Sequence, residues 1–295
     1  MSKGIISSVM ASCLFAVMYF YTSMLAPLDG EEIFGWRTLL TLPCLTLFML
    51  LSKDWKHVGE LLVRVRQTPR LFLGMVGTSW LLGIQLWLFL WAPLHGRSLE
   101  VSMGYFLLPL AMVLTGRVAY GERLSRLQKL AVGCAALGVG HELYQHGSFA
   151  WETLVVVIGY PIYFVLRRRC RTDHLGGLWC DMCLLLPWAL YFVIQGPLSS
   201  ADLAAHPGLY ALIPLLGAIS ASALIVYVLA SRLLPFGLFG LLSYVEPVLL
   251  VGVALLLGES IAPDQWLTYL PIWAAVLVLV LEGIKHLLRQ RRRSV

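Results

Sequence analysis

Ten apolar segments, each about 20 residues long, follow one another along this chain of 295 residues. A helix needs about 20 mostly apolar residues to cross the hydrocarbon core of a bilayer. The segments are continuous rather than alternating, which indicates helices and not barrel strands. They lie near 4–25, 33–52, 71–92, 99–119, 127–143, 149–166, 175–195, 208–231, 234–257 and 266–287. The chain is therefore predicted to be an all-α integral membrane protein with ten transmembrane helices.

The composition excludes the soluble globular class. Apolar residues make up 59% of the chain and charged residues 13%, and the mean hydropathy is +0.80. A soluble domain usually carries about 25% charged residues. A chain with so little charge cannot cover a surface that faces water, so the bilayer is expected to be its main solvent and the lipid its first partner.

One sequence segment occurs twice, about half the chain apart. The first copy runs from Gly104 through Pro109 to Gly121-Glu122, and Gln128 follows six residues later. The second copy runs from Leu242 through Pro247 to Gly258-Glu259, and Gln265 follows six residues later. Five predicted spans separate equivalent elements. Since five is odd, the two copies are expected to face opposite sides of the membrane, which is typical of secondary transporters.

The two halves are predicted to be inverted five-helix repeats. The first covers 1–146, the second covers 147–288, and a short basic tail occupies 289–295. Both proline positions of the duplicated segment, Pro109 and Pro247, are expected to kink the helices that contain them, because proline removes a backbone donor.

The basic residues predict the orientation. Lysine and arginine favour the cytoplasmic side of a membrane. With the N-terminus inside, all but two of the 22 lysines and arginines lie in cytoplasmic segments. The two exceptions are Arg37 and Arg97. Both termini are therefore predicted to be cytoplasmic, and the basic tail is interpreted as a topology anchor against anionic lipid rather than a nucleic-acid patch.

Several blocks of sequence resemble the RarD group of the EamA transporters, in the drug/metabolite transporter superfamily. The resemblance covers essentially the whole chain and rests on Trp91-Ala92, Glu100, Ser102, Gly104-Tyr105-Phe106, Pro109, Gly121-Glu122-Arg123, Glu32-Ile33, Arg37, Arg167-Arg168-Arg169, Gly177, Asp181, Leu186-Pro187, Arg232, Tyr244, Pro247, Gly258-Glu259 and Trp273. It implies a fold of two inverted EamA-type repeats and the carriage of small organic solutes without ATP. Location in a bacterial inner membrane follows from the same resemblance.

Four positions depart from the pattern of that group. Leu108 and Gln85 stand where asparagine is expected, Ser243 replaces a usual glutamine, and Glu246 replaces a usual glycine. The polar groups that would line a solute cavity are thus partly rearranged, which predicts a ligand particular to this subfamily.

Ionisable side chains inside spans are the first candidates for the site, because they cost about 2.5–3.5 kcal/mol each on insertion scales and usually face a pathway. Glu246 lies near the middle of the ninth predicted span, beside a proline. A carboxyl group in apolar surroundings holds a proton more readily than one in water, so Glu246 is predicted to couple transport to protons. Asp181, in the seventh span, is the second candidate for coupling or substrate binding. For each of them, pairing with a neighbour in a purely structural role is the alternative.

Further candidates are neutral or lie near span ends. Arg37 and Glu100 are expected near the outer ends of their spans, where they would pair as an outer gate or extend to the headgroups. Gln85, Tyr105, Ser243 and Tyr244 would fix the orientation of a ligand, and Trp91 would supply a flat apolar face. For the aromatic residues, ordinary packing is the competing interpretation.

Other chemistries find no signature in the sequence. The chain has no phosphate-binding GxxxxGK[ST] loop, no GxSxG nucleophile elbow and no HExxH zinc helix. No catalytic residue, metal site, cofactor or nucleic-acid partner is therefore predicted, and the protein is not expected to be an enzyme.

The combined prediction is a secondary active transporter that moves a small organic metabolite or drug by alternating access, with protons as the candidate coupling ion. A passive facilitator or exchanger of the same fold is one alternative, and a non-transporting membrane enzyme or sensor is another. The identity of the solute, the direction of transport and the oligomeric state stay open, with a homodimer as one option for the last.

Overall fold

The structure of the protein is a computed structural model, which describes residues 2–121, 125–146, 150–196, 206–234, 242 and 244–293. Within these residues it contains eleven α-helices. They are α1 (Ser2–Tyr21), α2 (Gly30–Leu51), α3 (Lys56–Gln67), α4 (Pro69–Leu94), α5 (Ser98–Tyr120), α6 (Arg126–His146), α7 (Trp151–Cys170), α8 (Leu175–Gln195), α9 (Leu209–Leu233), α10 (Val245–Leu256) and α11 (Trp266–Arg293). A short 3-10 helix, Thr22–Leu25, extends α1.

Six of the described helices are long and apolar enough to cross a membrane. These are α1 with its 3-10 extension, α2, α4, α5, α8 and α9, and apolar stretches at Val245–Leu256 and Trp266–Val278 are shorter. Many large apolar side chains, such as Leu51, Leu73 and Ile194, lie exposed on the outside of the bundle. A soluble protein rarely exposes so much apolar surface. The protein is thus an all-helical membrane protein, and ten full spans remain a prediction.

The helix α3 was missed by the sequence prediction, which treated 53–70 as a plain connection. Its sequence is amphipathic: Val58 and Leu61 are buried, whereas Glu60 and Arg66 point away from the bundle. Because α3 is only 12 residues long, it is too short to span a bilayer. It packs against α4 and α8 at the end of the bundle that carries most of the arginines.

The prolines of the duplicated segment differ in their positions. Pro109 lies inside α5, as predicted. The helix that contains Pro247 begins at Val245, so this proline occupies the first turn. An N–H in the first turn has no partner within the helix, so proline is tolerated there without a kink. Within the described helix Pro247 thus needs no kink, and the kink expected there stays a prediction.

The repeated glycine and glutamine residues terminate and start helices. Gly121 and Gly258 both have positive φ angles, 68° and 91°, a conformation that glycine adopts at little cost. Gln128 accepts a hydrogen bond from the backbone N–H of Ser125, and Gln265 accepts one from Ala262, each at 3.0 Å. These residues lie where α5 ends and α6 begins, and where α10 ends and α11 begins.

We call α1–α6 the first part of the chain and α7–α11 the second part. The most extensive helix contacts join the first part to the second. Helix α1 packs on α9 and α10, α2 on α8 and α9, α4 on α7 and α8, α5 on α7 and α10, and α6 on α11. One large apolar cluster is formed mainly by α1, α2, α4, α8 and α9, and a smaller one by α5, α6, α10 and α11. Polar groups buried between these clusters therefore lie where the two parts of the chain meet.

Candidate functional site

A group of aromatic side chains lies at the junction between the two parts of the chain. The hydroxyl groups of Tyr105 on α5 and Tyr160 on α7 are 3.1 Å apart, and the Phe89 ring on α4 lies 6.2 Å from the Tyr105 ring. Tyr227 on α9 contributes a further hydroxyl nearby. We call these four residues the central cluster. The hydroxyl groups give a polar strip inside an otherwise apolar bundle.

Arg37 on α2 lies on one side of the central cluster and is almost wholly buried, with 2% of its surface exposed. Its Nε donates to Ser220 Oγ at 2.9 Å, and Nη1 approaches the carbonyl oxygen of Leu86 at 3.5 Å. The guanidinium carbon lies 6.0 Å from the centre of the Phe89 ring. A guanidinium has five N–H donors. Among the residues that the structure describes, no carboxylate neutralises it.

Glu246 lies near the tyrosines of the central cluster. Its charge acts on the hydroxyl groups of Tyr105, Tyr160 and Tyr227, and its side chain is half-buried. It is the second residue of α10, where the partial positive charge of a helix N-terminus favours a carboxylate. Since α10 has 12 residues, it covers about 18 Å, little more than half of a hydrocarbon core. The position of Glu246 near the middle of the membrane, which the sequence predicts, stays a prediction.

Arg37 and Glu246 thus share the same two neighbours without touching each other. The charge of Arg37 also acts on the hydroxyl groups of Tyr160 and Tyr105. The three tyrosines of the central cluster and Glu246 all keep some accessible surface, although they stand on four different helices. The arrangement therefore brings a cation and a carboxyl group to the same pair of tyrosine hydroxyl groups.

Gln85 on α4 lies beside this region. Its Nε2 donates to the carbonyl oxygen of Val155 at 2.7 Å, and its buried Oε1 has no hydrogen-bond partner. A buried acceptor without a partner costs about 1–3 kcal/mol. The Oε1 atom of Gln85 can therefore accept a hydrogen bond from a solute. A role for Gln85 in orienting a ligand stays a prediction.

The gate predicted between Arg37 and Glu100 is not formed in this structure. Glu100 accepts a hydrogen bond from Arg97 at 2.9 Å, and Arg97 also bonds the buried Glu152 at 2.6 Å. The hydrogen bond to Glu152 raises the pKa of Arg97. The physical reason is depth: Arg37 is seven residues into α2, about 10 Å from its start, whereas Glu100 lies in the first turn of α5.

Glu259 closes the same end of the bundle, which we call the acidic end. Its two carboxylate oxygens accept hydrogen bonds from the backbone N–H groups of Ser98 and Leu99, both at 2.8 Å. Glu259 thus caps α5, a helix 160 residues earlier in the chain. A cavity of about 230 Å³ lies next to it and is lined by Glu100, Met103 and Tyr269, among others.

Asp181 lies at the opposite end, which we call the basic end, in a structural network. Its Oδ1 accepts a hydrogen bond from Thr78 at 2.7 Å, and its Oδ2 is 3.6 Å from Arg167 Nη1. Arg167 also bonds the Tyr163 hydroxyl at 2.6 Å and the carbonyl oxygens of Thr172 and His174. Because its partners all belong to this network at the basic end, Asp181 is not part of the central cluster. At the same end, burial and the neighbouring His57 lower the pKa of His174.

The other predicted residues are also distributed. Trp91 stacks on His95 at 3.9 Å and contacts Trp151 at 5.5 Å near the acidic end. Tyr244 is buried with the smaller apolar cluster, and its hydroxyl group has no partner among the described residues. Ser243 lies outside the described residues. Of the predicted set, the structure brings together Arg37, Gln85, Tyr105 and Glu246.

Three members of the central cluster, Phe89, Tyr160 and Tyr227, were missed by the sequence analysis. Aromatic residues are common in membrane helices as packing residues, so the chain gives little signal for any of the three. The one available signal is that Tyr160 precedes Pro161 inside a span. Within the described part of the chain, no group of three His, Cys, Asp or Glu residues could hold a metal ion.

Comparison with known proteins gives relatives that match over almost the whole length. The chloramphenicol-sensitive protein RarD of Pseudomonas aeruginosa is 44% identical over 294 residues, 99% of this chain and 98% of the relative. An uncharacterized transporter of Pasteurella multocida, PM1281, is 41% identical over 98% of this chain and 99% of its own. The uncharacterized transporter YojE of Bacillus subtilis is 28% identical over 96% of this chain and 95% of its own.

A solved protein crystal structure has a TM-score of 0.59 to this chain at 18% sequence identity, and the match covers 96% of this chain and 98% of the other. At this identity, the likeness concerns the fold alone. The chain matches no protein-family model.

Proposed function

Because the chain belongs to the RarD family of bacterial membrane transporters, we propose that it is a secondary active transporter of a small organic solute. The observation that supports this most directly is the pair of charged residues, Arg37 and Glu246, near the central cluster. Charged groups at depth are costly and usually mark a substrate or proton pathway. On this proposal the two charged residues lie at depth in the membrane, whereas an enzyme acting on lipids would need a catalytic cluster at one interface.

The proposed architecture is ten transmembrane helices in two inverted five-helix repeats, 1–146 and 147–288, with a basic tail at 289–295. Equating α1, α2, α4, α5 and α6 with α7, α8, α9, α10 and α11 supports this arrangement. Under that equivalence, contacts between the halves occur in matching pairs: α1 with α9 corresponds to α4 with α7, and α1 with α10 to α5 with α7. Transporters built from inverted repeats bind solutes where the repeats meet.

The basic end is proposed to face the cytoplasm of the bacterial cell, with both termini on that side of the inner membrane. Arg64, Arg70 and Arg169 gather at this end, whereas the acidic end carries Glu152 and Glu259. The rule that positive residues stay inside assigns the basic end to the cytoplasm.

Glu246 is proposed to couple solute movement to protons. In alternating access, a carboxyl group that is exposed to each side in turn can take up a proton on one side and release it on the other. Its half-buried position beside three neutral hydroxyl groups, with no arginine paired to it in the described chain, leaves it available for protonation.

The test uses purified protein in liposomes with a pH-sensitive dye trapped inside. Solutes that raise the melting temperature in a screen of amino acids, aromatic acids, quaternary amines and drugs are then added outside. We expect solute-dependent proton movement with the natural protein, and uncoupled or absent movement with Glu246→Gln. Glu60→Gln is the matched control, because Glu60 is 67% exposed at the basic end.

The outcomes separate the alternatives. Solute flux that ignores the proton gradient in the natural protein would indicate a facilitator or exchanger instead. An unchanged coupled rate in Glu246→Gln would remove that residue from the mechanism. If no solute moves under any gradient, the transport function itself is rejected in favour of an enzyme or sensor.

A further inference from the structure

We propose that the solute carries a carboxylate group that Arg37 binds, and that one proton on Glu246 accompanies each bound anion. The inference rests on the proposed transport function and names its substrate class. It follows from the positions of two opposite charges around the central cluster.

The first step is the bonding of Arg37. Two acceptors, Ser220 Oγ and the Leu86 carbonyl oxygen, occupy only part of its five donors within the described chain. Arginine presents a planar fork of N–H groups that matches a carboxylate with two parallel hydrogen bonds. The free donors of Arg37 therefore fit a carboxylate better than a neutral amide or a cation.

Burying the guanidinium cation of Arg37 is costly. Two weak acceptors and one aromatic ring at 6.0 Å compensate little for taking a guanidinium out of water, since a buried charge requires a hydrogen-bonded counter-charge. A counter-ion supplied by the solute would neutralise Arg37 only while the solute is bound. A structural arginine such as Arg167, by contrast, has its own carboxylate in Asp181.

The third step concerns the body of the solute. Phe89 makes edge-to-face contacts with Phe15 and Tyr19 of α1 at 6.2 and 4.8 Å, and with Tyr105 at 6.2 Å. Aromatic rings favour apolar and flat partners. The anion bound at Arg37 is therefore expected to carry an apolar body against these rings.

The net charge of the site depends on Arg37, Glu246 and the bound anion. With Arg37 charged and Glu246 ionised, the empty site is neutral. An anion on Arg37 together with a proton on Glu246 keeps the loaded site neutral as well. Without the proton, the loaded site would hold one net negative charge at depth, which is costly. Binding of the anion should therefore draw a proton onto Glu246.

The titratable groups that face Glu246 do not change this sum. They are Tyr105 on α5, Tyr160 on α7 and Tyr227 on α9, and tyrosine is neutral at physiological pH. The helices packed on α10 are α1 and α5. Their described charged residues, Lys3, Glu100 and Arg117, lie near helix ends, away from this depth.

The experiment is isothermal titration of purified protein in lipid nanodiscs with benzoate, phenylacetate and hexanoate. Benzamide and benzylamine are the matched neutral and cationic probes. Titrations at pH 8 in two buffers with different ionisation heats count the protons taken up. We expect a carboxylate to bind at least about tenfold more tightly than the matched amide, as for a hydrogen bond to a charged group. About one proton should be taken up for each anion bound, because protonation of Glu246 keeps the site neutral.

The variants assign the two roles. Arg37→Gln should abolish the preference for the carboxylate, and Arg37→Lys should retain it in part, because the charge remains without the fork. Glu246→Gln should bind the carboxylate without proton uptake. The comparison of probes on the natural protein needs no variant, so it decides the question even if Arg37→Gln fails to fold.

Three results would overturn the inference. They are equal or tighter binding of benzamide or benzylamine, no binding of any of the three carboxylates by protein that melts cooperatively, and anion binding without proton uptake. Each of these three results is compatible with the proposed transport function if the liposome assay still detects transport of a solute. Failure of that assay with every solute would instead reject transport.

Discussion

At the scale of single residues, the duplicated segment has two kinds of content. Gly121, Gly258, Gln128 and Gln265 form turns and helix starts in both halves, so their recurrence reflects the geometry of the chain. Glu246 has a leucine as its counterpart in the first copy. The repeated residues therefore explain the scaffold, and the unmatched residue lies at the candidate site.

Glu259 is predicted to hold the acidic end closed. Replacing it by glutamine removes the negative charge and leaves a single acceptor for the two N–H groups of Ser98 and Leu99. Loss of such a cap is expected to cost about 1–2 kcal/mol of stability. Thermal melting of the purified protein measures this, and a cysteine introduced at Met103, in the adjacent cavity, should react faster with a soluble maleimide.

The control for this prediction is Asp264→Asn, an exposed carboxylate in the same connection. It should change neither the melting temperature nor the labelling rate at Met103→Cys. Equal melting temperatures for Glu259→Gln and Asp264→Asn would mean that the cap contributes nothing.

The sequence identified part of the candidate site because polar groups inside apolar spans are conspicuous. Arg37, Gln85, Tyr105 and Glu246 were found in this way. Their partners could not be found, because pairing depends on which face of each helix is buried and at what depth. The sequence therefore pairs Arg37 with Glu100, and it gives no sign that Arg167 is the partner of Asp181.

At the scale of helices, the presence of a helix was more predictable than the residues at which it begins and ends. The predicted fifth and sixth spans, 127–143 and 149–166, correspond to the longer α6 and α7. Their ends are polar, and the hydropathy of a segment does not show where helical hydrogen bonding stops. The same limit hid α3, since its alternating polar and apolar faces average to a hydrophilic connection.

The two prolines of the repeat give a prediction at this scale. Proline inside a helix costs about 3 kcal/mol relative to alanine, whereas proline in the first turn costs little. Pro109→Ala in α5 should therefore raise the melting temperature and slow solute flux in liposomes, because a straighter and stiffer α5 opposes the change between states. Pro247→Ala is the matched comparison and should leave the melting temperature almost unchanged.

An opposite ranking of the two proline variants would show that α10 is the bent helix. Equal small effects would mean that neighbouring helices already satisfy the carbonyl group freed by Pro109, as happens in other membrane helices. Melting curves of the two proteins in the same lipid distinguish these cases.

At the scale of the whole molecule, the bundle is held together mainly by contacts between the two parts of the chain. Helices distant in sequence, such as α1 and α9 or α6 and α11, share the most extensive interfaces. Because these interfaces join helices distant in sequence, the two parts of the chain are expected to fold together. Such interlocking could not be derived from the sequence, because hydropathy shows that a helix is apolar but not which partner it meets.

The charges at the two ends of the bundle give the last prediction, the direction in which the protein crosses the membrane. Glu60 on α3 is exposed at the basic end, and Asp264 is exposed at the acidic end. In a protein without its six native cysteines, Asp264→Cys should react with an impermeant maleimide on intact spheroplasts. Glu60→Cys should react only after the membrane is permeabilised, because positive residues remain on the cytoplasmic side.

Labelling of Glu60→Cys on intact spheroplasts would reverse the orientation and move both termini outside. Labelling of both positions would indicate two opposite insertions, a result that the strong separation of charge argues against. The orientation also bears on the proposed coupling: with the acidic end outside, protons driven by the membrane potential would enter from the side on which Glu259 caps α5. Opening of that cap is therefore expected to precede protonation of Glu246 from outside.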